Sequence, residues 1–191
     1  MDVGCEQLTY SGPDTGGLSV AVRSVGERDP PAPRSSQWLL RVYSGNSGVR
    51  YVPRNPSKEY ARVGEAVLPV IDLAGGGGAG DFAKWVRASP ESNLVYEAFG
   101  KLRIASRGQY HLCVKSKDGS KLYADGDLVV SNDGQHSSLD RCGVKDLAPG
   151  LHLIKVVGFK GDGLVRLALQ YQGPDTGNRR IDMQSVDASP F

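Results

Sequence analysis

The stretch from Asp118 to Asp133 carries Asp118, Asp125, Asp127, Asn132 and Asp133, with Gly119 and Gly126 among them. Closely spaced loop oxygens of this kind are what a hard cation such as calcium requires. The spacing departs from a helix-loop-helix calcium loop: counted from Asp125, Asp127 fits the third position, but Val129 and Val130 stand at the fifth and sixth, where an oxygen ligand and a glycine belong. Hairpin turns account for the same residues equally well. His111, His136 and His152 are far apart, and none lies in a motif such as G-x-S-x-G or H-E-x-x-H. They read as surface or loop histidines, and no enzyme is expected. Gly75 to Gly80 satisfies G-x-G-x-x-G, follows the apolar run Val67 to Leu73 and has Glu97 about twenty residues on. A dinucleotide fold needs an uninterrupted apolar parallel strand and repeated βαβ units. Pro69 breaks this run and no second long helix follows, so the glycines read as a flexible loop.

The elements that must position these residues are strands. Apolar residues recur with period two: Leu40 and Val42 on one face; Val95, Glu97 and Phe99, then Leu102 and Ile104; Tyr110, Leu112 and Val114; Leu122; Leu128 and Val130; Leu151 and Leu153 with Ile154 and Val156; Val165, Leu167, Leu169 and Tyr171. Turn signals at Arg107-Gly108, Asp118-Gly119, Asp125-Gly126, Asp133-Gly134, Pro149-Gly150 and Asp162-Gly163 separate them at sandwich-like intervals. Asp81 is placed to cap a turn or two of helix over Phe82 to Arg87. The pattern predicts an all-β fold, an antiparallel β-sandwich with little helix.

A length of 191 residues with 39% hydrophobic content is enough for a real core, which excludes a disordered chain or a disulfide-stapled miniature. Lys plus Arg number 23 against 21 for Asp plus Glu, so no net field draws the chain onto nucleic acid or anionic lipid. No apolar run approaches the roughly 20 residues of a membrane-crossing helix. The start, Met1 to Glu6, has no signal core, so the chain is expected inside the cell if Met1 is native and outside it if a leader has been removed. Cys5, Cys113 and Cys142 have no metal-ligand spacing. By strand alternation Cys113 lies opposite the Leu112 and Val114 face. Cys142 lies in the segment returning to the sheet, so the two either form a disulfide or remain separate thiols.

Leu8 to Gly16 matches Leu169 to Gly177 at seven of nine positions, with Tyr10 and Tyr171 in register. Such an echo suggests the tail of a preceding repeat or a strand lying beside its twin. It predicts similar backbone in the two segments. Leu18 to Val25 reads as a strand, and Arg28 to Ser36, with its prolines, as a linker. The organisation expected is therefore 1–36 as strand and linker, 37–175 as the sandwich and 176–191 as a tail. The linker and tail, poor in apolar residues, are expected to pack on partner subunits.

Several segments are similar, in order, to the fourteen-kilodalton protective-antigen domain family. They are Phe99-Gly100-Lys101-Leu102-Arg103-Ile104, Gly108-Gln109-Tyr110-His111-Leu112, Ser116 to Gly126, Val129 to His136, Leu147-Ala148-Pro149-Gly150-Leu151-His152 and Gly173-Pro174, with Trp38 to Tyr43 resembling the opening strand. The resemblance covers about residues 37 to 175. It implies a β-sandwich that binds glycans or proteins in adhesins, toxins, glycosidases and surface proteins. Family lectins carry an Asp-Asp pair joined by a cis peptide, which with further loop oxygens holds calcium against sugar hydroxyls. That pair aligns with Lys117-Asp118, where an ammonium replaces one anionic ligand, so no cofactor is expected; Asp118 is the ligand if an ion binds. The ligand-binding loops implied are those of Lys117, Asp118, Asn132, Asp133, His136 and Asp162. Two functional readings follow. The first is a noncatalytic protein-interaction or assembly module, a subunit of a larger complex or part of a tandem array. The second is a carbohydrate-binding lectin or adhesin domain, which an aromatic beside the loops such as Tyr123 would favour.

Overall fold

The computed structural model describes residues 9–10, 20–21, 37–45, 48–75, 82, 93–161 and 163–186. The chain divides into two compact units, Met1–Pro33 and Arg34–Phe191. In the first, β1 (Thr9–Tyr10) pairs antiparallel with β2 (Val20–Ala21). The rest of the Leu8 to Gly16 echo, the linker and the Asp81 helix cap lie outside the described residues. The later copy of the echo is the end of a strand, followed by a 3-10 turn over Pro174–Thr176 with Gly177 in the left-handed region.

The second unit is the expected antiparallel sandwich. Its six-stranded sheet runs in the order β4 (Arg62–Leu68), β3 (Trp38–Ser44), β6 (Leu94–Ile104), β11 (Gly150–Lys160), β8 (Ser120–Ala124), β9 (Asp127–Asn132). The five-stranded sheet places β10 (Leu139–Leu147) beside β7 (Gly108–Lys117) and β7 beside β12 (Val165–Gln172). The other flank of β12 pairs with β5 (Asp72–Gly75) and then β13 (Ile181–Asp182). Alternation supplies both inner faces. Trp38, Leu40, Val42, Tyr96, Ile154 and Val156 come from one sheet, Tyr110, Leu112, Val114, Leu167 and Leu169 from the other, and all join one buried cluster.

The structure corrects the sequence reading of β6. Tyr96, Ala98, Leu102 and Ile104 face the core, whereas Val95, Glu97 and Phe99 lie on the opposite face, so the alternation runs through Gly100 unbroken. A Cβ on Gly100 would stand 2.6 Å from the Trp38 ring, so this position admits no side chain. The outer face of β6 becomes exposed by Arg103 but is buried at its start, where Val49 and Val52 pack with Tyr43, Val95, Val157 and Phe159 in a second, smaller core. The same segment holds the described α-helix, α1 (Pro56–Glu59), which the sequence reading did not anticipate.

Residues 176–186 are also not a detached tail. Met183 is fully buried, its amide donates to the Leu169 carbonyl, and its own carbonyl accepts the Trp38 indole N–H at 3.2 Å. Gln37 N–H donates to Ser185 O and Val186 N–H to Lys101 O, while Ser185 Oγ accepts the Lys101 amide. Residues 181–186 therefore strap the flank of β12 to β3 and β6. Cys113 and Cys142, directly paired across β7 and β10, form a disulfide. Among the described residues no helix is long and apolar enough to cross a membrane.

Because Met183 fills a core position beside Trp38, Met183→Ala should lower stability by about 2–5 kcal/mol in denaturant unfolding. A loss under about 0.5 kcal/mol, typical of a surface substitution, would show that the strap is not part of the fold.

Candidate functional site

Tyr110, Leu112 and Val114 point into the core along β7, and the next inward position is polar: Ser116. Its hydroxyl donates to the Asp118 carbonyl at 2.8 Å and accepts the Asn132 amide nitrogen at 3.0 Å. That leaves the Ser120 hydroxyl, 2.8 Å away, to donate to it. Asn132 Nδ2 also reaches the Leu139 carbonyl. These buried groups join the end of β7 to β8, β9 and β10, and each bond satisfies a group whose burial would otherwise be unfavourable.

The Lys117-Asp118 peptide is cis. Asp118 is 5% exposed. Its Oδ2 accepts the Gly161 amide at 2.8 Å and its Oδ1 the His136 amide at 3.3 Å, so one carboxylate ties the β7–β8 corner to the β9–β10 and β11–β12 loops. Gly119 closes the corner, since a Cβ there would fall 2.7 Å from the Phe159 ring and 2.8 Å from the Gly134 backbone. Lys117 is half-buried on the outward side of β7 with its Nζ beside Gly163, and buried Lys160 donates to Gly161 O at 2.8 Å. Burial first, and then the charge of Asp118, push the Tyr96 phenol well above its ordinary range. Among the described residues, neither Tyr96 OH nor Asn132 Oδ1 meets a hydrogen-bond partner.

The structure brings Lys117, Asp118, Asn132 and His136 together and gives Asp133 a different task. Asp133 Oδ1 accepts the Val52 and Gly134 amides at 2.7 and 2.8 Å, and Oδ2 pairs with Lys121 Nζ at 2.7 Å. This carboxylate anchors the segment that covers the outer face. Burial raises its pKa, but Lys121 and the two amides outweigh that and hold it below the usual carboxylate range. The His136 ring nitrogens face Ser137 O at 2.6 Å and Asn132 O at 3.0 Å. Asp162 lies outside the described residues. Tyr123 packs against the second core instead of standing beside Asp118. His111 is exposed on β7, and His152 pairs with Asp125 Oδ2 at 2.6 Å, so the three histidines share no site. No three His, Cys, Asp or Glu side chains converge among the described residues. Sequence reasoning missed Ser116 and Ser120, whereas the Gly161 amide lies in the loop of Asp162 that it singled out. The signal for Ser116 was a hydroxyl at the next inward position of an otherwise apolar alternation.

The family model for the PA14 domain matches residues 87–184. No curated protein matches the chain. Among solved structures, the PA14 sugar-binding domain from an RTX adhesin is similar over 78% of this chain and 98% of its own, at 17% identity and a TM-score of 0.64. The PA14 domain of the antifreeze protein MpAFP is similar over 78% and 87%, at 14% identity and a TM-score of 0.66. The A domain of epithelial adhesin 6 from Candida glabrata, in complex with Galb1-3GlcNAc, is similar over 80% and 85%, at 11% identity and a TM-score of 0.58. At these identities the likeness is one of fold, the sandwich described above.

Asp133 is held below its unfolded value of 3.8, so the stability it supplies is present above that value and is lost as pH falls through the depressed folded one. Replacing it by Asn should flatten the acid limb of a stability–pH profile measured by denaturant unfolding between neutral pH and the acid transition. An unchanged acid limb would show that the Lys121 pair contributes nothing to it.

Proposed function

Because the chain belongs to the PA14 domain family, whose model spans more than half of it, we propose that it is a noncatalytic carbohydrate-binding module of adhesion type. Its glycan would lie on the loops gathered around Asp118. The observation that carries this reading is the Asp118 carboxylate itself, which holds the Gly161 and His136 amides and so fixes three loops at one end of the sandwich before any ligand arrives. A preformed polar rim suits a glycan, which gains little from apolar burial and loses affinity to every loop it must order. The sugar-binding adhesin domain and the glycan-bound Candida glabrata adhesin among the similar folds support the same reading. The order of the two sequence readings is therefore reversed. The assembly reading rested on Lys117 in place of an anionic ligand and on a linker and tail packed on partners; residues 181–186 instead pack on this sandwich.

We further propose that binding needs no calcium. Among the described residues, the side chains at the corner offer one carboxylate, almost fully covered and already bonded to two amides, and one amide oxygen at Asn132, with an ammonium at Lys117. Calcium takes about 6–8 oxygens, several of them anionic, and this donor set does not fit it. Lys117 instead presents N–H donors to sugar hydroxyl or ring oxygens, without a metal between protein and ligand.

A glycan array probed in EDTA and again in millimolar calcium tests both statements. The same neutral glycans should bind in both buffers, and Lys117→Ala should weaken the best of them by about tenfold, ~1.4 kcal/mol. Strictly calcium-dependent binding would overturn the calcium-free reading. A silent array, together with a stable stoichiometric complex with another protein, would restore the assembly reading.

A further inference from the structure

The outer face of the six-stranded sheet carries a groove of about 540 Å³ between the segment before α1 and strands β8 and β11. Its volume falls within the ~300–1,000 Å³ typical of small-molecule sites. Tyr123, Leu153 and Val157 make its floor, and Arg54, Asn55 and Lys155 stand at its sides. None of these residues belongs to the rim around Asp118.

The charges in the groove are unequally matched. Lys155 pairs with Glu97 at 2.8 Å and lies over the Phe99 ring. Asp125, also in the lining, accepts the Leu153 amide through Oδ1 at 2.8 Å and meets His152 Nδ1 through Oδ2 at 2.6 Å. Burial lowers the His152 pKa, but the Asp125 carboxylate and the Ala148 carbonyl outweigh it and raise the imidazole above its ordinary value. Arg54 is exposed and makes no ion pair among the described residues. Asn55, at the N-cap of α1, makes no capping bond with its side chain. The groove therefore combines an apolar, aromatic floor with a guanidinium and an amide whose polar atoms are uncommitted among the described residues.

We infer that this groove is a second binding site, for the carboxylate-bearing unit of an acidic saccharide such as a uronate or sialate. A pyranose presents an apolar C–H face, which the Tyr123 ring and the Leu153 and Val157 side chains can cover. Its carboxylate is planar and matches the fork of a guanidinium through two parallel hydrogen bonds, a geometry that Lys does not reproduce. Asn55 can both donate to and accept from ring hydroxyls. The site stands independently of the rim reading.

The test is amide NMR titration of the whole chain with two probes, a tetrasaccharide of alternating glucuronic acid and N-acetylglucosamine, and sialyllactose. At least one should shift Arg54, Asn55, Tyr123 and Leu153. Arg54→Ala should weaken that binding by about tenfold and Arg54→Lys by less, and carboxyl reduction of the probe should match the alanine loss. Because Arg54 is exposed, its replacement leaves the fold intact, which the unshifted remainder of the spectrum checks. Asp118→Ala should leave the groove shifts unchanged, separating this site from the rim. The inference is overturned if neither probe shifts the groove, if shifts are confined to the loops around Asp118, or if the carboxyl-reduced probe binds equally well.

Discussion

Between the last residue of β7, Lys117, and the first of β8, Ser120, only Asp118 and Gly119 intervene, yet the two strands belong to different sheets. Facing sheets lie about 10 Å apart, close to the most that three successive Cα steps can span. The corner therefore has no slack, and everything near it is shaped by that. Gly119 has no room for a side chain between Phe159 and Gly134. Another crossing between the sheets, from β9 to β10, is forced alongside, because Asn132 pairs with Ser120 on one sheet and Leu139 with Ser116 on the other. Two crossings at one place put the Ser120 and Asn132 side chains on the Ser116 hydroxyl, and Asp118 reaches the loops on either side.

This arrangement explains how a rim of loops keeps its shape with a lysine where the family lectins it resembles have an aspartate. An ion gathers loops by attracting oxygens. Here the gathering group is an anion, and it attracts amide N–H groups from Gly161 and His136. Bonds from amides to a charged acceptor in a covered position are among the stronger ones in proteins, each contributing about 1.5–3 kcal/mol. The rim is then ordered when the chain folds, and a ligand need not supply that ordering.

Much of this was legible in the residues. Period-two apolar positions in β3, β7 and β12 mark inward faces, and the Asp-Gly and Pro-Gly pairs mark the turns, so the sandwich and the loops of Lys117, Asp118, Asn132 and His136 followed. What was not legible depended on contacts between distant segments. The phase of β6 was misread because Val95 and Phe99 are as apolar as the residues facing the core: the Arg41 and Lys155 side chains lie over the Phe99 ring, and Val95 packs in the second core with Val49 and Val52. Those two valines carry no periodic signal of their own. Met183 and Ser185 sit in a polar stretch that looks like a tail, and only the Trp38 indole and the Lys101 backbone give them a place. Asp133 looked equivalent to Asp118, yet nothing in its neighbours showed that it would hold the Val52 amide. Cys113 and Cys142 remained undecided between disulfide and thiols until the β7–β10 register set them opposite each other.

We propose that Asp118, and no metal ion, holds the rim loops together. Hydrogen exchange of the Gly161 and His136 amides, measured first in EDTA and then in millimolar calcium, tests it most directly. The account predicts that both amides are protected in EDTA, that calcium adds nothing, and that Asp118→Ala exposes both in either buffer. Amides that exchange freely in EDTA and become protected only when calcium is added would contradict it.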